Sequence, residues 1–132
     1  MANALYPSFK KLLLDGDIDL LTDTVKAVII DTADYTYNAA HDFLDDVPAA
    51  ARVGTTAALA SKTTTAGAFD SDNPIASAVS GDISEAVILF KDTGDAATSP
   101  LMVYIDTGVT GLPVTPNGGD ITLAWDTYIF TL

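Results

Sequence analysis

The run "ISEAVILFKDTG", Ile83–Gly94, decides the fold. Its centre is five apolar positions, Ala86–Phe90, followed by Lys91 and closed by Asp-Thr-Gly, a turn-forming triplet. A continuous apolar run this short is too brief for a buried helix and fits a strand covered on both faces. We read a strand over Glu85–Lys91. The next apolar run, in "SPLMVYIDTGVTG" (Ser99–Gly111), has the same form and also ends in Asp-Thr-Gly. It is the expected antiparallel partner, Leu101–Asp106, reached through the polar loop Asp92–Pro100.

Working outward, other strands follow. "TDTVKAVIIDTAD" predicts a strand at Val25–Asp31. "ARVGTTAALASKTTTAGAFD" predicts two strands around Ala60-Ser61, the second carried by Thr63, Thr64 and Thr65. "SDNPIASAVSGD" is loop chemistry around a short extended piece. Asn117-Gly118-Gly119 is a turn before a strand at Ile121–Trp125, and "TYIF" ends the chain as a last short strand. At the other end, Pro7 suits a first helical turn. Tyr6, Phe9, Leu12 and Leu13 recur at helical spacing until Asp15-Gly16 stops them, so a short helix is expected over Pro7–Leu14. Asp42–Val47 is expected to make one helical turn that Pro48 ends. Seven or so strands and one N-terminal helix predict a single mainly β domain over residues 1–132. The expected architecture is an antiparallel β-sandwich or partly open barrel.

Composition narrows the function classes. The 132 residues are 48% apolar, with a mean hydropathy of +0.30. This is ample apolar surface to offset ordering entropy, and about two-thirds of the unfolded surface should be buried at this size. No apolar run reaches the ~18–20 residues of a membrane span, and no secretory leader is apparent. High apolarity in a soluble chain points to burial between subunits. The net charge is −12, and only the Lys10–Lys11 pair groups any basic residues. Nucleic-acid binding requires a clustered positive footprint, so no nucleic-acid partner is expected. Of the eighteen acids, seventeen are Asp, a residue of turns and caps; Glu85 is the exception. There is no cysteine.

Four features carry candidate chemistry. "DGDIDLLTDT", Asp15–Thr24, alternates carboxylates as a calcium loop does. A calcium loop of the EF-hand type also needs Gly at position 6 and a carboxylate at position 12, where this chain has Leu20 and Lys26. The plainer reading is a solvated helix stop and turn, and no metal site is assigned. His41, the sole histidine, lies in "HDFLDD" with no nucleophile motif and reads as a solvated residue on a surface turn. The two Asp-Thr-Gly triplets evoke aspartic proteases, but they are fourteen residues apart and each closes a strand, so they read as turns. The glycine turns lack the phosphate-binding spacings. No catalytic residue and no cofactor are therefore expected, and the chain reads as a non-enzyme. Alternation places Tyr128 and Phe130 on one face of the last strand. Core packing is the simpler role for them, and a partner interface is the alternative.

Three stretches together resemble a family of small structural proteins of tailed-bacteriophage virions. They are "LLLDGDIDLLTDTVKAVIIDTADYTYNAAHDFLDD", "GDISEAVILFKDTG" and "YIDTGVTGLPVTPNGGDITLAWD". The "GLPVTPNGGDIT…W" signature is the most specific of them. The chain departs from the family pattern at Asp19-Leu20-Leu21 and at Asp126-Thr127. The resemblance implies a virion component of the capsid cement, or decoration, kind. It would be a homo-oligomer, expected as a trimer, on the capsid surface, with the major capsid protein as partner. Its expected contacts are Tyr6 and Phe9 of the N-terminal arm and Tyr128 and Phe130 of the terminal strand. A neck or tail component is the alternative, and a host- or glycan-binding module using Tyr35 and Tyr37 is a third reading.

Overall fold

The computed structural model describes residues 3–132. In chain order the elements are β1 (Ala4–Leu5), α1 (Pro7–Asp15), β2 (Val25–Ile30), β3 (Arg52–Thr55), β4 (Ala68–Phe69), β5 (Ile75–Ala76), β6 (Ala86–Lys91), β7 (Leu101–Ile105), β8 (Val109–Thr110), β9 (Ile121–Thr122), β10 (Ala124–Trp125) and β11 (Phe130–Thr131). Short 3₁₀ turns cover Leu44–Asp46, Ala49–Ala51 and Thr65–Gly67. The protein is mainly β. One antiparallel sheet runs β1-β7-β6-β2-β3, three two-stranded ribbons (β8–β10, β4–β11 and β5–β9) surround it, and no barrel closes.

The three central strands explain the continuous apolar runs. Every residue of β7 is buried, as are all of β6 except Lys91 and all of β2 except Lys26. Strands covered on both faces need no polar alternation. The β6–β7 hairpin pairs Ile88 with Tyr104 and Leu89 with Val103, and the Asp92–Pro100 loop joins them as expected. The helix carries its own punctuation. Pro7 opens it, and Gly16 at φ +78° closes it, with Gly16 N–H donating to the Leu13 carbonyl and Asp17 N–H to that of Leu12. Phe9 is the buried residue of α1, edge-on to Phe130 at 5.7 Å, and Phe130 stacks on Phe69 at 5.4 Å.

Two expectations are corrected. Thr63–Thr65 is not a strand: Thr63 makes a single bridge to Asp70, and Thr65–Gly67 is a 3₁₀ turn with Ala66 at φ +55°. All three threonines are exposed, so their β-propensity has no sheet to join. Ile121–Trp125 is not one strand either. It divides at buried Leu123 into β9, which pairs with β5, and β10, which pairs with β8. The chain passes from one ribbon to the other at that residue. The Leu123 N–H donates to the Pro74 carbonyl at the break.

Candidate functional site

The Asp15–Thr24 stretch is an ordered turn. Asp19 accepts from the N–H groups of Leu21 and Thr22, while Asp23 accepts from Asp19 N–H. These backbone donors hold the Asp19 carboxyl below the usual range. Lysines take up two of its other acids: Lys11 pairs with Asp15, and Lys91 lies 3.1 Å from Asp23 and donates to the Asp17 backbone carbonyl. The Asp15, Asp19 and Asp23 carboxylates thus serve their own turn and separate lysines.

The two Asp-Thr-Gly triplets lie at opposite ends of the sheet. Asp92 follows β6, where it pairs with Lys26 at 2.7 Å and accepts from Gly94 N–H. Asp106 follows β7, with its N–H donating to Asn3 Oδ1. The length of β7, roughly 16 Å for five residues, separates the two carboxyls, so they cannot share a proton.

His41 is not a freely solvated residue. It is half-buried, and its Nδ1 lies 3.0 Å from the Tyr35 hydroxyl, which lies 2.8 Å from the Tyr6 hydroxyl. Tyr37 and Tyr104 complete an aromatic group around this chain, with Tyr6–Tyr37 at 4.9 Å and Tyr37–Tyr104 at 5.8 Å. Burial raises the Tyr6 hydroxyl far above the ordinary tyrosine range. Tyr35 is buried and Tyr37 half-buried, so they do not form the exposed aromatic face that a glycan site needs.

The four expected contact residues divide. Tyr6 and Phe9 are fully buried, and Phe130 is 8% exposed within the same core. Tyr128 is 45% exposed. The last strand is only Phe130–Thr131, so Tyr128 sits in the bend before it and not on a shared strand face. Tyr128 borders a shallow groove of about 260 Å³ with Leu5, Val103 and Ile129.

The structure also assembles what the sequence spacing hides. At the edge where β2 ends, β6 begins and β7 ends, Thr32, Glu85, Tyr104, Asp106, Thr107 and Pro113 line an open pocket of about 440 Å³. Beside it, Asp31, Asp34 and Asp82 bring one carboxylate oxygen each within 4.8 Å of one another. Asp31 is buried, and its Oδ1 accepts from Ala33 N–H. These residues lie up to eighty-two positions apart (Asp31 to Pro113), and the β2–β6–β7 register brings most of them together. No protein-family model matches this chain, and no curated protein matches it.

Proposed function

We propose that the protein is a structural component of a tailed-phage virion, a cement protein that binds the outer capsid surface and stabilises the capsomer lattice. The observation that carries this reading is how the most specific family-like segment is used. In "GLPVTPNGGDIT", Val114 exchanges backbone hydrogen bonds with Ser84, Gly118 N–H donates to the Val79 carbonyl, and the Gly119 carbonyl accepts from Val79 N–H. Ile121 and Thr122 then pair with β5. The segment ties the periphery to the sheet, which is scaffold work and needs no reactive group.

The charge is consistent with that role. An acidic chain on the outside of a shell is kept from packaged DNA by like-charge repulsion. Binding as a symmetric oligomer, expected as a trimer, would let one modest patch act several times at once. Large apolar side chains remain exposed at Leu14, Leu21, Ile75, Ile83, Tyr128 and Leu132, and oligomer or capsid contact would cover a share of them.

Copy number in purified virions tests the proposal. A cement protein is present in hundreds of copies, in fixed ratio to the major capsid protein, and occupies outer-surface density. A ring of six or a small multiple of six would replace the cement reading with a neck or tail role. Absence from the particle would remove the virion reading altogether.

A further inference from the structure

We propose that Asn117 is a modification site, an asparagine that converts to aspartate and isoaspartate at a rate set by the opening of a backbone clip on Val79. The chain has four asparagines, and Asn117 alone is followed by glycine; Asn3 and Asn38 precede alanine, and Asn73 precedes proline. Asparagine is among the thermolabile residues. The reaction is internal to the chain. The Gly118 backbone nitrogen gives up its proton and bonds to the Asn117 side-chain carbon Cγ. The Cγ–Nδ2 bond breaks, and the amide leaves as ammonia with that proton, which closes a five-membered succinimide. Water then opens the ring at either carbonyl, giving aspartate or isoaspartate. A side chain on the following residue hinders the approach, so glycine is the most permissive successor, and proline has no N–H to lose.

The turn supplies everything except a free nitrogen. Asn117, Gly118 and Gly119 are exposed, so water reaches the ring. Asn117 Oδ1 accepts from Gly119 N–H at 3.0 Å, which draws electron density from Cγ and makes it a better electrophile. That placement depends on Gly119, because a Cβ there would stand 3.0 Å from Oδ1. The nucleophile is withheld. Gly118 N–H donates to the Val79 carbonyl at 2.7 Å, and Val79 N–H donates to the Gly119 carbonyl at 2.9 Å. Val79 is 4% exposed and packed in the core, so the acceptor does not follow the turn when it moves. While the clip is closed the Gly118 nitrogen keeps its proton. It can react only when its bond to Val79 opens.

The product changes the turn. Aspartate keeps an oxygen for Gly119 N–H and adds one negative charge to a chain already at −12. Isoaspartate routes the main chain through the side-chain carbon. It adds one backbone atom between Val114, anchored on Ser84, and Gly118, anchored on Val79. The two anchors are then out of step, and the turn cannot reclose as before. Conversion to isoaspartate is therefore a one-way record of clip opening. The clip also has a local support at the surface, where Ala78 N–H donates to Oδ1 of the exposed Asp120 at 3.0 Å. This chemistry is the same inside or outside a virion.

The test follows the full chain at mildly alkaline pH, folded and in guanidinium chloride, by peptide mapping with mass spectrometry that separates aspartate from isoaspartate. Unfolded, Asn117 should convert well ahead of Asn38. Folded, it should slow at least about tenfold, by the same factor as hydrogen exchange at the Gly118 amide, because both need the same opening. Asp120→Ala removes the acceptor for Ala78 N–H and should speed Gly118 exchange and Asn117 conversion together, whether or not the unfolding midpoint moves. A series of low guanidinium concentrations makes the same comparison in the wild type. Three results would each overturn the proposal: Asn117 converting as fast folded as unfolded, Asn117 no faster than Asn38 in denaturant, or Gly118 exchange rising across the series while Asn117 conversion stays unchanged.

Discussion

The Tyr6 hydroxyl lies 2.8 Å from the Tyr35 hydroxyl, and Tyr35 in turn lies 3.0 Å from His41 Nδ1. Two phenols and an imidazole thus form one chain, anchored at its deep end by a tyrosine with no exposed surface. With His41 neutral and Nδ1 accepting, Tyr35 donates to His41 and Tyr6 donates to Tyr35, so every hydroxyl proton has an acceptor. Tyr35→Phe breaks both links and leaves the Tyr6 hydroxyl buried without its acceptor, a loss of about 1–3 kcal/mol. In the double variant Tyr6→Phe/Tyr35→Phe the stranded group is gone. Its unfolding free energy in urea should therefore fall by less than the sum of the two single changes. Strict additivity would mean that the chain carries no coupling.

Gly111 is a position where the backbone itself demands glycine. Its φ is +112°, and a Cβ there would stand 2.9 Å from the Thr122 carbonyl oxygen. Both the conformation and the contact penalise any side chain, and the contacted atom is backbone that cannot swing aside. Gly111→Ala should cost roughly 1–3 kcal/mol or more in thermal or urea unfolding. Gly94→Ala is the informative comparison: its φ is +88°, but a Cβ meets nothing within 4 Å. It should cost less, and equal losses would remove the steric part of the explanation.

The aromatic residues at the two chain ends separate folding from contact. Phe9 and Phe130 meet edge-on in the core, so Phe130→Ala should destabilise the protein by about 3–5 kcal/mol. Tyr128 is 45% exposed, and Tyr128→Ala should change stability by less than about 0.5 kcal/mol. If the terminal segment makes a subunit or capsid contact, Tyr128→Ala weakens oligomerisation or capsid binding while the unfolding curve stays in place. Light scattering and a capsid co-sedimentation assay read that separation. Unchanged assembly would remove Tyr128 from the contact.

The central sheet was legible in the sequence because β2, β6 and β7 are buried on both faces, which writes an apolar run bounded by turn residues. The α1 stop was legible because Gly16 is a local requirement. Thr63–Thr65 misled because strand propensity says what a residue tolerates and not whether a partner is present. The Ile121–Trp125 break was hidden because a strand that changes partners looks like one that does not. Tyr6 and Phe9 read as an interface because helical periodicity marks an apolar face without saying what covers it. The Glu85–Tyr104 pocket could not be read at all, since most of its residues sit at or just beyond the ends of β2, β6 and β7, which only tertiary register brings together.

Acid should unfold the protein through carboxylates whose protons are held off in the folded state. Asp92 is held below the ordinary aspartate value by Lys26 first and by Gly94 N–H, and Asp46 by the N–H groups of Asp42 and Phe43. A depressed folded pKa means the unfolded chain binds the proton more readily. Each group's stabilisation is therefore present above the unfolded value, about 3.9, and is lost as pH falls through the folded value. Asp46 is exposed and Asp92 half-buried at the sheet end beside Lys26, so each contribution should stay at about 1 kcal/mol or less. Asp92→Asn cannot keep the charged pair with Lys26. Compared with wild type, it should be slightly less stable at pH 7 and should lose less stability between pH 5 and pH 2. Urea unfolding at the two pH limits measures both differences. An unchanged slope would show that the Lys26–Asp92 pair, though 2.7 Å long, contributes nothing to acid stability.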